Sequence, residues 1–232
     1  MSEIPVKSSS HRFNRAKALV ISILIIVVTA ATSLAAAGNF ALPFFWIAFA
    51  AQLVVSIFSV YGLDPALLNE RMKPQGKDED RFGRLIVTLL YLCSLFIPAL
   101  DVGRWHLADS VPLAIQILGC AMNFIGWAGV FWTMRTNVYF SSAIRLQSDR
   151  NQKVITTGPY RHIRHPGYSF ASLGFLGQVL MFGSWLGMIP VALMIVDFIY
   201  RSLLEEKLLI EGLPGYRAYM GRVKSRWVPG LF

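Results

Sequence analysis

Charge is scarce in this chain. Asp, Glu, Lys and Arg make up 15% of its 232 residues, against roughly 25% in ordinary soluble domains. That shortage argues against a soluble globular fold. Cysteine is nearly absent. Cys93 and Cys120 are the only two, and each lies inside an apolar run. With no CxxC and no Cys/His spacing of the zinc type, neither a disulfide framework nor a metal site is expected, and both thiols read as buried and structural. Acidic residues are outnumbered, 13 to 22, for a net charge of +9. No aromatic-and-basic pattern resembles a nucleic-acid module, so nucleic acid is not expected as a partner. Repeats and low-complexity tracts are also missing, and the loops are too short to fold alone.

Long apolar runs are what the chain has instead. They cover roughly Ala18–Ala37, Ala41–Leu63, Leu85–Val102, Pro112–Met134, Tyr168–Phe182 and Trp185–Tyr200. The first four approach the ~20 residues that cross a bilayer as a helix. The last two are shorter and joined by Gly183-Ser184, so they read as a tight helical hairpin. The expected fold is an all-α integral membrane protein with about five to six transmembrane helices and a C-terminal hairpin.

The basic residues give the orientation. With six crossings, Lys7, Arg12, Arg15 and Lys17, the loop from Arg71 to Arg84, the loop from Arg135 to Arg164, and the tail from Arg201 to Arg226 share one face. Arg104 stands alone on the other. Both termini are therefore expected in the cytoplasm. The basic start, the apolar run and Ala35-Ala36-Ala37-Gly38 also fit a cleavable signal, although the run is long for one. The tail beyond Leu213 mixes Tyr216, Tyr219, Val223 and Trp227 with Arg and Lys, the pattern of a segment lying on the membrane surface.

Two polar clusters could carry chemistry. The first is Thr157-Gly158-Pro159-Tyr160-Arg161-His162-Ile163-Arg164-His165-Pro166-Gly167-Tyr168. Its prolines oppose a continuous helix and predict a structured turn into the hairpin. Arg164 and His165 would stand at the positive end of the hairpin's first helix, a place suited to a ligand anion. A basic anchor touching lipid phosphates is the competing reading. The second cluster is Asp197, Arg201, Glu205 and Glu206. The spacing i, i+4, i+8 places the first three on one helix face. They form either an ion-pair ladder where the helix leaves the membrane or the acidic half of a site for a zwitterionic ligand.

The combination of Gly158-Pro159-Tyr160, Arg164-His165-Pro166-x-Tyr168, an apolar hairpin, Arg201-x-x-x-Glu205-Glu206, Tyr216-x-x-Tyr219 and a late Pro229 resembles the isoprenylcysteine carboxyl methyltransferase family. The resemblance covers roughly Asn137–Phe232. Further upstream, Glu70-Arg71 and Asp80-Arg81 are similar to bacterial members. It implies a division into transmembrane helices over 1–134 and a catalytic region over 135–232, within one integrated domain. S-adenosylmethionine is the implied cofactor, in a cytoplasmic pocket. His165, Tyr168, Tyr160 and Arg164, with Val154, Thr157 and Gly158 shaping the wall, would bind it. Glu206 or Glu205 would meet its ammonium or ribose, and Arg201, Glu205 and Glu206 would be the catalytic set.

That resemblance implies a membrane methyltransferase whose partners are the bilayer and a lipophilic acceptor, here the carboxylate of a prenylated cysteine. Such a carboxylate is already ionised near neutral pH and needs no base. The protein's task would then be alignment. Related acceptors are a phospholipid amine and a small thiol; an amine would need Glu205 or Glu206 as base. Outside this class stand an NADPH-dependent sterol-type reductase and a non-catalytic membrane subunit.

Overall fold

A computed structural model describes residues 14–230 apart from 75 and 77. Lys7, Arg12 and Lys77 of the charge count, and Phe232, lie outside the described residues. Among those residues all the regular secondary structure is helical, with no strand.

Local chemistry sets the helix ends. The Asn14 side chain accepts from Lys17 N–H to start α1 (Arg15–Ala37), and Gly38, at φ +66°, ends it. Apolar α2 (Pro43–Gly62) is followed directly by short α3 (Pro65–Met72). Asp64 caps α3 through Ala66 and Leu67 N–H, with Pro65 in the first helical position. Asp80 caps α4 (Arg81–Leu100) through Gly83 N–H. α4 contains Pro98 and runs on into a π-helical turn, Asp101–Trp105. α5 (Leu113–Thr136), α6 (Pro166–Phe182), α7 (Met188–Gly212) and short α8 (Tyr216–Arg222) complete the order.

The long helices run alternately up and down. Arg15 donates to the Tyr61 carbonyl at 3.1 Å, joining the start of α1 to the end of α2. At the opposite end Arg104 Nε donates to the Ala36 carbonyl at 2.6 Å. Arg104, the lone Lys or Arg at that end of the bundle among the described residues, thus caps the carbonyl end of α1. Ser184, in the hairpin bend, donates to buried Asp101 at 2.6 Å, and Asp101 also accepts from Leu107 and Ala108 N–H.

Small residues give α5 and α6 the most extensive helix contact among the described residues. A Cβ on Gly126 would stand 2.4 Å from the Gly174 nitrogen. Phe45 of α2 stacks on Phe182 of α6 at 3.9 Å, beside Leu34, Ala99 and Met181. Outward faces carry Val27, Val28, Phe58, Ile117, Ile125, Leu193 and Val196, all exposed. Apolar surface of that extent suits lipid rather than water.

Among the described residues, four helices are long and apolar enough to cross a membrane: α1, α2, α4 with its π-helical extension, and α5. α6 is short, at 17 residues, and α7 carries Asp197 in its first half and Arg201 and Glu205 in its second. The hairpin itself is present. Its bend is longer than Gly183-Ser184, because α6 ends at Phe182 and α7 begins at Met188. α7 then continues past Tyr200 to Gly212. Cys93 is exposed on the outer face of α4 rather than buried, since an apolar surround accepts a thiol as readily as the core does.

Candidate functional site

At the end of the bundle where α7 leaves its apolar half, the chain between α5 and α6 folds over the helix tips. Glu70 of α3 accepts from Arg145 Nε and Nη2, each at 2.9 Å, and from the Ser141 hydroxyl at 3.1 Å. Arg145 also pairs with Asp149 at 2.7 Å. Arg201 of α7 meets Asp80 at 2.6 Å and the Ser142 carbonyl at 3.1 Å. Asn137 donates to the Tyr160 hydroxyl at 2.9 Å. Gly158, at φ +56°, has no room for a Cβ: one would stand 2.8 Å from Thr136 Oγ1.

The tail closes the other side. Backbone N–H groups of Arg164 and His165 donate to the carbonyls of Ser225 and Arg226 at 3.0 and 2.9 Å. Tyr219 donates to the Tyr160 carbonyl at 2.7 Å, and Trp227 Nε1 donates to Ser202 at 3.1 Å while its ring stacks on Tyr168. Tyr216, Tyr219, Val223 and Trp227 are all buried. The expectation of a tail lying on the membrane surface is corrected here. Its apolar side chains turn inward onto α7 and the 158–168 loop, where they bury more completely than at an interface.

Between these elements lies a cavity of about 380 Å³. Its apolar part is formed by Val87, Trp127, Val130 and Phe175 of the bundle. Its polar part includes Asn137, Ser142, Gln152, His165, Arg201 and Glu205. Of the residues singled out from sequence, Val154, Tyr160, Arg164, His165, Tyr168, Arg201 and Glu205 line it. Thr157, Gly158 and Glu206 do not. Thr157 and Gly158 shape the turn behind Tyr160, through Tyr160 N–H to the Thr157 carbonyl at 3.2 Å.

The anion at the start of α6 is the protein's own. Glu206, 3% exposed, accepts from Arg164 Nε at 2.6 Å, from Arg226 Nε and Nη2 at 2.9 and 2.8 Å, and faces His165 Nε2 at 3.2 Å. Burial opposes its ionisation. Hydrogen bonds from His165, Arg226 and Arg164 outweigh that and hold the carboxyl well below the usual range. Arg164 is occupied as well, since its Nη1 donates to the Val223 and Lys224 carbonyls. The i, i+4 ladder also gives way: Arg201 takes its acid from Asp80, and Asp197 Oδ2 has no hydrogen-bond partner.

This leaves Glu205 as the acid open to the cavity. Its nearest basic atom is His165 Nδ1, at 3.7 Å, and its side chain is 37% exposed. Ionised Glu206 orients the His165 ring through Nε2, which leaves Nδ1 facing Glu205 and the cavity.

Two further lining residues, Tyr216 and Arg71, stand outside the site residues expected from the sequence. Tyr216 is buried, and its hydroxyl has no partner. Burial, and then the charges of Glu206 and Glu205, push its phenol upward, so it stays a proton donor. Arg71 of α3 entered the sequence reading only through the charge count and the Glu70-Arg71 pair. The contact that could have marked it, Phe140 beneath its guanidinium at 5.0 Å, spans too much sequence to be read from spacing.

These groups fit S-adenosylmethionine. A carboxylate and three tyrosines (Tyr160, Tyr168 and Tyr216) suit a sulfonium and an ammonium, and the unpaired Tyr216 hydroxyl offers a donor to a polar ligand atom.

The phospholipid methyltransferase family model matches residues 114–213. No curated protein matches the chain. The matched segment runs from α5 through the 158–168 loop and the hairpin to the end of α7, and over it the chain is similar to a family of membrane methyltransferases.

Proposed function

We propose that this protein is an S-adenosylmethionine-dependent methyltransferase of the membrane whose acceptor is the amine of a phospholipid. The observation that carries the reading is the coincidence of the family match with the cavity: residues 114–213 contain Tyr160, His165, Tyr168, Arg201 and Glu205. The apolar wall from Val87 to Phe175 suits acyl chains. A prenylated cysteine carboxylate, the acceptor implied by the residue pattern, remains the second reading; it draws on Arg164-His165-Pro166-x-Tyr168 and Arg201-x-x-x-Glu205-Glu206.

The cofactor, when bound, supplies a methyl group already activated by the sulfonium. An amine attacks only as its free base, and an alkylammonium is protonated at neutral pH, so the protein must first accept a proton. Glu205 and His165 Nδ1 are the acceptors that face the cavity. Glu206 cannot take this role, because three basic side chains hold it ionised. Its part is to orient His165. Arg201, fixed by Asp80 and the Ser142 carbonyl, positions the wall beside Glu205. Tyr168, between Trp227 and Phe198, keeps the site dry. The polar end is taken to face the cytoplasm, with the acyl chains entering from the bilayer.

The test is calorimetric titration of the purified, detergent-solubilised protein with S-adenosylhomocysteine, and with NADPH in parallel. Saturable binding of the first alone supports the proposal. Binding of NADPH alone would favour a reductase, and binding of neither by a folded sample would favour a non-catalytic subunit.

A further inference from the structure

Five cations line the cavity: Arg71, Arg84, Lys153, Arg164 and Arg201. Three are matched by acids, Arg84 by Asp78 at 3.2 Å, Arg164 by Glu206 and Arg201 by Asp80. Lys153 is exposed to solvent. Arg71 is half-buried and, among the described residues, has no acidic partner.

Its placement is built rather than incidental. Glu70 is held by Arg145 and Ser141, and the Arg71 carbonyl accepts from Ser142 at 3.4 Å, so both α3 residues have a fixed backbone. The guanidinium lies over Phe140. Phe140 in turn covers Gly167, where a Cβ would come within 2.3 Å of its ring. Arg71 is thus joined through one aromatic ring to the start of α6, between His165 and Tyr168. Burial disfavours the charged form of this side chain, and a cation facing a cavity without a counter-ion is costly. An entering anion relieves that cost.

The guanidinium presents a planar fork that matches two oxygens of a phosphate or carboxylate. α3 follows α2 directly, so Arg71 lies one short helix beyond the end of an apolar span, the side on which a lipid headgroup would lie. Glu205 on the same cavity offers the opposite charge. We propose that Arg71 binds the phosphodiester of the acceptor's headgroup, setting that end of the lipid while Glu205 and His165 meet its amine. The inference rests on the phospholipid reading and adds the residue that selects the headgroup.

The test is equilibrium binding, followed by the change in tryptophan fluorescence, to which the cavity residue Trp127 contributes. Wild type, Arg71→Ala and Arg71→Lys are titrated with dihexanoyl phosphatidylethanolamine, dihexanoylglycerol, inorganic phosphate and S-adenosylhomocysteine. Loss of a charge-assisted bidentate contact should weaken phospholipid binding by about 10- to 100-fold in Arg71→Ala. Arg71→Lys should fall between. Dihexanoylglycerol and S-adenosylhomocysteine should bind all three proteins alike. Unchanged phospholipid affinity in Arg71→Ala would overturn the inference. So would a parallel loss of S-adenosylhomocysteine binding, which would mark a structural role, or inorganic phosphate binding as tightly as the phospholipid. If wild type binds no S-adenosylhomocysteine but its phospholipid binding still depends on Arg71, the methyltransferase reading fails and the headgroup site stands.

Discussion

Arg164 and Glu206, 42 positions apart, meet at 2.6 Å with both side chains buried. This pair joins the loop before α6 to the second half of α7, and Arg226 extends it to the tail. The arrangement makes Glu206 a structural hub, so its removal should be felt first in stability. Glu206→Gln leaves the buried Arg164 without its counter-ion and should cost about 3–5 kcal/mol. The melting temperature in detergent measures this, and an unchanged value would remove Glu206 from that role.

The same carboxyl predicts an acid dependence. Its folded pKa is depressed, so its stabilisation is complete above the ordinary carboxylate range, near about 4. It is lost as pH falls through that range towards the folded value. Wild type should therefore lose melting temperature steeply on acidification below about pH 4–5. Glu206→Gln should show a shallower acid slope across the same series. Parallel slopes would contradict the assignment.

Glu205 should behave in the opposite way. It is half exposed, and its nearest base is 3.7 Å away. Glu205→Gln should melt close to wild type while methyl transfer to an amine acceptor falls by about 10²–10⁴-fold, the span of one general base. A carboxylate acceptor would be far less affected, which separates the two acceptor readings in one assay.

Tyr216→Phe tests the orphaned hydroxyl. Removing a buried polar group that has no partner should leave the free protein as stable or up to about 1 kcal/mol more stable. Affinity for S-adenosylhomocysteine should nevertheless drop about 5- to 10-fold if the hydroxyl donates to that ligand. Calorimetry reads the second quantity and thermal melting the first.

Gly126→Ala places a methyl group against the Gly174 backbone, where a Cβ stands within 2.5 Å. Backbone cannot yield as a side chain can, so α5 and α6 must separate, at a cost of about 1–3 kcal/mol. A reporter fused to the C-terminus provides the orientation test. It should read cytoplasmic, and a signal from the opposite side would overturn the six-crossing arrangement.

Much of the helix plan was legible because apolar runs need no partner to be recognised. α1, α2, α4 and α5 follow the runs to within a few residues. The apolar run stops at Tyr200, and the spacing of Asp197, Arg201 and Glu205 carries the helix beyond it as an ion-pair ladder or the acidic half of a ligand site. The structure instead buries Arg201 and Glu206 through partners far away in sequence. Asp80 and Arg201 lie 121 residues apart, and no local spacing reveals such a pairing. Arg164, His165, Tyr168 and Glu205 could be singled out by their density and motif. Which acid would face inward to an arginine and which would face the cavity depended on the helix rotation. Adjacent residues point about 100° apart on a helix, which divides Glu205 from Glu206.

The backbone pairing of Arg164 and His165 with Ser225 and Arg226 has a consequence for the order of synthesis. All the long helices leave the ribosome before residues 223–227 do. Helices α1 to α6 can insert and associate at once, but the loop before α6 lacks its carbonyl partners until that late segment emerges. Until then Arg164 lacks two of its three acceptors and Tyr168 lacks the Trp227 ring. A nascent chain stalled before Ser225 should therefore be membrane-inserted yet ligand-blind, and an open 158–168 loop would mark it to proteases as unfinished.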